Sequence, residues 1–204
     1  MSSGNQSMEI LSNCIFSGNL AKYGGGMHIG WRWEHPDPNI VAYIDSKLVN
    51  CTFTMNRAQD YGGGISTGEK SRPMLTNCVL WSNHDGAGTD ESAQVWSPTG
   101  QQAPQIDHCC IQGWSGKVSG AANFGLDPRF VDPNGPDGKI GTLDDNLRLN
   151  INSPCINAGD NAALPADAFD LDGDGDPNEP IPFDINGKPR IQGGTVDIGA
   201  CESG

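Results

Sequence analysis

Three seven-residue segments of this chain align without gaps and share the form Asn-Cys-x-apolar-x-x-Asn, at residues 13–19, 50–56 and 77–83. A fourth segment, residues 108–111, keeps the cysteine and the apolar residue but not the asparagine. Successive cysteines of the series are 37, 27 and 31 residues apart. One such unit cannot bury its apolar face alone, so the repetition predicts units that stack on one another.

A second motif accompanies the first. Tyr-Gly-Gly-Gly occurs at residues 23–26 and 61–64, and it is reduced to Gly-Ala-Gly at 86–88. Each repeat therefore contains at least two short strands separated by a turn. The chain has 28 Gly and 14 Pro, residues that mark turns and destabilise helix interiors, and we find no long segment with a helical period. The composition thus predicts an all-β chain.

The stacked strands are expected to pair in register about 4.8 Å apart, so that equivalent side chains form columns. The loops absorb the variable spacing, because the strand motifs stay constant. These features predict a right-handed single-stranded parallel β-helix with a loop-rich C-terminal cap, the hand following from the bias of parallel crossovers. The expected columns are Cys14, Cys51, Cys78 and Cys109; Phe16, Phe53, Leu80 and Ile111; Asn13, Asn50 and Asn77; and Asn19, Asn56 and Asn83.

The cysteines of the column are interpreted as small buried apolar groups rather than as metal ligands or disulfides, because the rung spacing exceeds the disulfide optimum. Cys155 and Cys201 lie outside the column. A bridge between these two would suit a secreted protein, and the sequence leaves open both that bridge and two free thiols.

We expect one domain over residues 1–204, with repeated coils over 8–125 and the last coils with a calcium-loop cap over 126–204. Nothing in the sequence covers the first coil, and an open coil presents unpaired backbone and apolar surface. Either more coils precede it, in a longer protein of which this chain is the C-terminal part, or the chain forms a homo-oligomer through that coil.

After the repeats come Leu-Asp-Pro-Arg-Phe-Val-Asp-Pro at 126–133, Ser-Pro-Cys-Ile-Asn-Ala-Gly-Asp at 153–160 and Val-Asp-Ile-Gly-Ala-Cys-Glu at 196–202. With the repeats, this series resembles the bacterial choice-of-anchor Q β-helix proteins, which are related in fold to pectate lyases. The resemblance runs from about residue 10 to 202. It implies a last pair of coils plus a cap, and a surface location, but no particular reaction. The family usually has an aromatic residue where Cys201 stands, so no family-wide disulfide is implied.

The charge balance narrows the partners. The chain has 25 acidic and 12 basic residues and a net charge of −13, which argues against nucleic acid and anionic membranes. No apolar stretch is long enough to insert into a membrane, and residues 1–9 lack the features of a leader. We expect a bacterial protein that is secreted or displayed on the cell surface, with the leader absent from this chain.

Two acidic loops predict a structural Ca²⁺, because residues that offer oxygens at alternate positions of a flexible loop converge on one point. Counted from Asp170, the second loop matches an EF-hand loop at positions 1, 3 and 5 and at the Gly of position 6, but position 12 is Ile181 and no flanking helices are evident. The alternative is a solvated acidic turn. The candidate ligands are Asp132, Asn134, Asp137, Asp144 and Asp145 in the first loop, and Asp170, Asp172, Asp174, Asp176 and Asn178 in the second.

An insertion makes the first repeat ten residues longer than the second, and it is rich in Trp, His and carboxylates. Aromatic rings stack on sugars, so the insertion is a candidate polysaccharide site, although its Trp side chains could equally fold down over the coil. The candidate substrate-binding residues, which include two from later repeats, are Trp31, Arg32, Trp33, Arg72 and Trp96.

Aligning the two Tyr-Gly-Gly-Gly motifs places His28 beside Ser66 on neighbouring, outward-facing positions. A serine and a histidine at that distance can form a nucleophile–base pair, with Glu34 or Asp37 orienting the imidazole. No nucleophile elbow or oxyanion-hole motif accompanies them. This pair is the candidate catalytic site.

The sequence favours a non-catalytic extracellular module that binds calcium and either binds glycan or acts as a structural stalk. The rival is a carbohydrate-active enzyme, either a polysaccharide lyase or a glycoside hydrolase and less readily a Ser–His esterase, acting beside the Trp-rich insertion. The enzyme hypothesis requires a cleft in which His28, Arg32 and Glu34 converge with Ser66 or Arg72.

Overall fold

The computed structural model describes residues 8–30, 45–118 and 120–203. Over these residues the chain is β-rich, with one four-residue helix and one short 3₁₀ helix, and the strands of the repeats pair in parallel. The prediction of an all-β chain is confirmed. None of the helices in the described ranges is long and apolar enough to cross a bilayer.

The strands of the repeats are short and follow one another at the repeat period. They are β1 (Met8–Ser12), β2 (Ile15–Ser17), β3 (Leu20–Tyr23), β4 (Met27–Ile29), β5 (Asp45–Val49), β6 (Thr52–Thr54), β7 (Arg57–Tyr61), β8 (Ile65–Thr67), β9 (Met74–Thr76), β10 (Val79–Trp81), β11 (Val95–Trp96), β12 (Gln105–Asp107) and β13 (Cys110–Ile111). The remaining elements are α1 (Glu91–Gln94), β14 (Phe130–Asp132), β15 (Asn146–Leu149) and a 3₁₀ helix (Asn161–Ala163).

Each parallel sheet takes one strand from each successive repeat. The orders are β1-β5-β9-β12, β2-β6-β10-β13, β4-β8-β11 and β3-β7. In the second sheet Phe16 pairs with Phe53, and Phe53 pairs with Leu80. The rings of Phe16 and Phe53 stack with their centroids 4.5 Å apart. The predicted in-register column of apolar side chains is confirmed.

The cysteine column forms part of one buried core that runs through the repeats, together with the apolar column beside it. Burial and the neighbouring thiol of Cys109 raise the pKa of Cys78 well above its usual value. The thiols are free, and they fill space as small apolar groups. The prediction that these cysteines are buried apolar groups is confirmed for Cys51, Cys78 and Cys109.

One asparagine row forms a buried amide ladder. Asn56 Oδ1 accepts a hydrogen bond from the side chain of Asn19 at 2.9 Å, and Asn83 Oδ1 accepts one from Asn56 at 3.0 Å. Gln94 extends the ladder, since its Oε1 accepts from Asn83 at 2.8 Å. Buried amides that pair with one another fix the register of the rungs, because an unpaired one would be costly.

The other asparagine row has a different role. Asn13, Asn50 and Asn77 occupy left-handed corners, with φ of 53°, 51° and 56°. One side-chain hydrogen bond links two of these three residues: Asn77 Nδ2 donates to Asn50 Oδ1 at 3.3 Å. Their side chains donate instead to carbonyl oxygens of the C-terminal part of the chain, those of Phe183, Asp197 and Asp160. We call this row, Asn13, Asn50 and Asn77, the docking line, because its side chains bind the C-terminal part of the chain more than they bind one another.

Residues 126–203, here called the C-terminal segment, differ from the further coils that the family resemblance implies. Strands β14 and β15 are antiparallel, and the segment packs against the outer face of the β2-β6-β10-β13 sheet. The segment packs there because Val79 and Cys110, in the strands of the repeats, are apolar and point away from the repeat core, so they must be shielded from solvent. Leu149, Cys155 and Ile198 shield them.

A Cys155–Cys201 bridge does not form: both thiols are free, as are the other five, and all seven lie in the described ranges. Cys155 instead contacts Cys110 of the last repeat, and this contact, with burial, raises the pKa of Cys110. Cys155 and Cys201, which both lie outside the cysteine column, therefore have different surroundings.

A buried charged cluster ties the C-terminal segment together. Arg190 is 1 % exposed and Glu202 is 0 % exposed, and their charged groups lie 2.6 Å apart. Arg190 also donates to the carbonyl oxygen of Gly199 at 3.1 Å and to Asn13 Oδ1 at 3.1 Å, which connects the segment to the first repeat. The sequence analysis did not anticipate this cluster.

Candidate functional site

Five of the candidate residues lie in the insertion between β4 and β5, outside the described residues. They are Trp31, Arg32, Trp33, Glu34 and Asp37. The insertion leaves the described structure at Gly30 and returns to it at Asp45.

His28 and Ser66 are paired in register on β4 and β8, and His28 Nδ1 lies 2.7 Å from Ser66 Oγ. The predicted juxtaposition is therefore confirmed. The structure does not support the predicted nucleophile–base role of this pair, because Ser66 is 0 % exposed and a substrate cannot reach its hydroxyl. A Cβ at Gly24 would lie 2.8 Å from Ser66 Oγ, so the glycine of the Tyr-Gly-Gly-Gly motif makes room for this hydroxyl. The pair is a structural hydrogen bond between rungs.

The tyrosines of the two Tyr-Gly-Gly-Gly motifs form an aromatic column with Trp96. The rings of Tyr23 and Tyr61 stack with centroids 5.9 Å apart, and those of Tyr61 and Trp96 are 4.5 Å apart. Tyr61 thus has a ring on each face, which leaves its edge to solvent. A sugar ring needs an aromatic face, so Tyr61 is not a stacking platform.

Trp96 lines a cavity of about 300 Å³ beside β11, which is the last strand of its sheet. Val95, Pro104 and Val118 supply apolar lining, and Lys117 supplies a charge. Cavities of this size and composition hold small ligands. The structure therefore places Trp96 where a bound molecule could contact it.

A second, larger cavity of about 670 Å³ meets the first at Ala103. Its lining is more polar and includes Arg72, Gln102 and Gln105. The Arg72 guanidinium donates to both carboxylate oxygens of Asp45, at 2.8 and 2.6 Å, and this ion pair holds its plane in place. We call the two adjoining cavities the groove.

Two carboxylates of the groove have local hydrogen-bonding roles. Asp90 caps α1 and accepts from the Ser92 side chain and backbone, which lowers the pKa of Asp90. Glu91 accepts from the backbone N–H groups of Ser115 and Val118, at 3.0 and 3.4 Å. Both carboxylates thus accept hydrogen bonds from neighbouring residues, which gives them a structural role in the local chain.

The first acidic loop, of which residues 132–145 are all described, does not gather the predicted ligands. Asp137, Asp144 and Asp145 converge on the Thr142 hydroxyl, at 3.5, 2.6 and 3.3 Å, and the bond from Thr142 lowers the pKa of Asp144. Their oxygens do not form a group of three within 4.8 Å of one another. Asp132 and Asn134 lie outside this contact set, so the turn explanation fits the first loop.

The second loop does bring acidic groups together. Asp170, Asp172 and Asp174 form one group whose ligand atoms lie within 4.8 Å of one another, and a second group consists of Asp167, Asp172 and Glu179. Asp176 belongs to neither group and accepts from the backbone of Asn178 at 3.0 Å. Asp167 and Glu179 were not among the candidate ligands predicted from the sequence, and Asp167 precedes the alternating pattern.

Comparisons with known proteins leave the function to this geometry. No protein-family model matches the chain, and neither a curated protein nor a solved structure matches it.

Proposed function

We propose that the chain is a right-handed parallel β-helix module of a secreted or surface-displayed bacterial protein, and that it binds polysaccharide in the groove. In-register parallel pairing of successive repeats supports the helical path, and the strong bias of parallel crossovers supports the right hand. The resemblance to the choice-of-anchor Q proteins and the excess of acidic side chains support an extracellular location.

The observation that carries the proposal is the position of Arg72 and Trp96. Both are candidate sugar-binding residues from separate repeats, and they line two cavities that meet at Ala103. A sugar presents a flat apolar face and a rim of hydroxyl groups. An aromatic ring at one end of the groove, with Gln102, Gln105 and the Arg72–Asp45 pair at the other, offers both kinds of contact.

Binding is favoured over catalysis for two reasons. The hydroxyl of Ser66 is inaccessible, and the Glu91 carboxylate holds the loop at Ser115 through hydrogen bonds. A polysaccharide lyase or hydrolase would need a free base or a pair of carboxylates across the sugar bond. In the described part of the groove, the carboxylates of Asp90 and Glu91 are neighbours in the chain, and both already accept hydrogen bonds from Ser92 and Ser115.

The test is affinity electrophoresis of the protein through a panel of soluble polysaccharides. We expect retardation by at least one polysaccharide, and Trp96→Ala should weaken it by about tenfold or more. Tyr23→Ala is the matched control, because Tyr23 belongs to the same aromatic column but lines neither cavity. Circular dichroism checks that both variants are folded.

Three results would overturn the proposal. Absence of retardation by every polysaccharide would remove glycan binding. An equal loss in Tyr23→Ala would assign the effect to the column rather than to the groove. Turnover of a bound polysaccharide, detected as new reducing ends or unsaturated products, would replace the binding module with the enzyme.

A further inference from the structure

The base of the second acidic loop is closed by an antiparallel contact. Ala166 and Pro180 form an isolated bridge, and the Asp167 N–H donates to the Glu179 carbonyl oxygen at 2.7 Å. Leu164 and Ile181, on either side of this contact, pack with residues of the repeats and of the C-terminal segment. The base therefore has a fixed position, and it sets Asp167 and Glu179 opposite each other.

Asp167 carries an unsatisfied buried oxygen. The residue is 1 % exposed, its Oδ2 accepts from the Leu171 N–H at 2.6 Å, and its Oδ1 has no hydrogen-bond partner. Glu179 Oε1 is also buried without a partner. A buried carboxylate oxygen without a donor or a cation is strongly unfavourable. Two such oxygens in one acidic group point to a missing positive charge.

The neighbouring sequence does not supply that charge. It contains no Lys or Arg between Arg148 and Lys188, so the whole loop and its base are without a basic side chain. Lys47 of the repeats donates to the carbonyl oxygen of Ala163 at 3.3 Å, but the ion pairs within the described residues do not include Asp167, Asp172 or Glu179. A cation from solvent is the remaining source.

We propose that Asp167, Asp172 and Glu179 bind one divalent cation, Ca²⁺, at the base of this loop. The donor set consists of carboxylate oxygens on a glycine-containing loop, which suits Ca²⁺, whereas Zn²⁺ prefers nitrogen and sulfur. The site is independent of the groove, so it stands or falls separately from polysaccharide binding.

The second group, at the tip of the loop, is a weaker candidate. Asp170 Oδ1 accepts from the Gly175 N–H at 3.0 Å, and Asp174 Oδ1 accepts from the Asp176 N–H at 2.8 Å. These carboxylates are exposed and already have donors, as in an ordinary sequence of turns. The ion is therefore placed at the base, and of the ligands predicted from the sequence only Asp172 contributes to it.

The binding test is calorimetric titration of chelator-treated, desalted protein with CaCl₂. We expect one site, weakened about tenfold or more by Asp167→Asn and clearly less by Asp174→Asn, which removes a nearby charge but no ligand. Asp174→Asn is the matched control, because it removes the same charge from the tip. Loss of binding in Asp174→Asn but not in Asp167→Asn would overturn the base site, and so would absence of calcium binding by the wild type at millimolar concentration.

Thermal melting separates a ligand from a merely structural carboxylate. Asparagine keeps an oxygen for the Leu171 N–H but removes the unpaired charge, so in EDTA Asp167→Asn should melt at or above the wild-type temperature. Saturating calcium should raise the wild-type Tm by about 5–10 °C and the variant far less. Equal destabilisation of the variant with and without calcium would overturn the proposal. If Asp167→Asn does not fold, Glu179→Gln is used in the same two experiments with the same criteria.

Discussion

Buried side chains in the repeats, residues 8–125, are mostly apolar or amide groups that recur at equivalent positions of successive strands. Those in the C-terminal segment, residues 126–203, include an arginine, Arg190, and the carboxylates of Asp197 and Glu202, each with its own set of partners. Stability in the repeats therefore comes from many similar contacts. In the C-terminal segment it depends on single contacts that have no equivalent elsewhere.

The largest effect is expected in the repeat core. Phe53 is 0 % exposed and pairs with Phe16 on one side and Leu80 on the other, so Phe53→Ala leaves a cavity between two rungs. It should lower the free energy of unfolding by about 3–5 kcal/mol. The same substitution at Phe169, which is exposed in the C-terminal segment, should change it by less than about 0.5 kcal/mol.

Urea unfolding followed by circular dichroism measures both variants. A small loss in Phe53→Ala would mean that the apolar column can collapse around the gap. The repeats would then be no better packed than the segment that covers them.

The charged cluster of the C-terminal segment predicts that the free energy of unfolding depends on pH. Arg190 faces three buried carboxylates, those of Asp184, Asp197 and Glu202, and burial raises the pKa of Glu202 from 4.5 to about 7. A raised folded-state pKa means that the stability contributed by Glu202 is present below pH 4.5 and is lost as the pH rises through 7. The loss should reach about 2–3 kcal/mol between about pH 5 and pH 8.

Urea unfolding at a series of pH values tests this. Glu202→Gln mimics the protonated carboxyl, so its free energy of unfolding should vary much less over the same range. If wild type and variant have parallel pH profiles, Glu202 is ionised throughout and the cluster does not take up a proton.

The repetition made the interior of the repeats predictable. A motif that recurs with its asparagine and cysteine in fixed positions specifies which residues meet across distant parts of the chain. The pairing of Phe16 with Phe53 and the bond from Asn19 to Asn56 follow from that signal alone. It also placed His28 beside Ser66, but the accessibility of the hydroxyl depends on surrounding packing that no pattern encodes.

The path of the C-terminal segment was not predictable in the same way, because its contacts join residues without a common period. Two examples are the contact of Cys110 with Cys155 and the hydrogen bond from the Asn13 side chain to the Phe183 carbonyl oxygen. One signal was available: Val79 and Cys110 are apolar at positions that face outward and so require cover. Asp167 precedes the alternating acidic pattern, and only the closure of the loop base brings it opposite Glu179, so the sequence did not predict its place in the acidic group.

The smallest effect concerns the line where the two regions meet. Asn50 donates from its side chain to the carbonyl oxygens of Asp197 and Gly199, and its backbone has a φ of 51°. Asn50→Gly keeps the backbone conformation and removes the side-chain bonds, so it should cost about 1 kcal/mol. Asn50→Ala removes the same bonds and also strains the backbone, so it should cost about 1 kcal/mol more.

Hydrogen exchange distinguishes a local from a regional effect of these two variants. The Gly199 N–H donates to the carbonyl oxygen of Asn77, and it should exchange faster in both variants because the docking line holds the segment there. The Val79 N–H donates to Cys51 within the repeat sheet and should be affected only by the strained Ala variant. If the exchange rates of both amides rise equally in Asn50→Gly, the C-terminal segment and the repeats open as one unit. The two regions then differ in the composition of their buried side chains but not in their local stability.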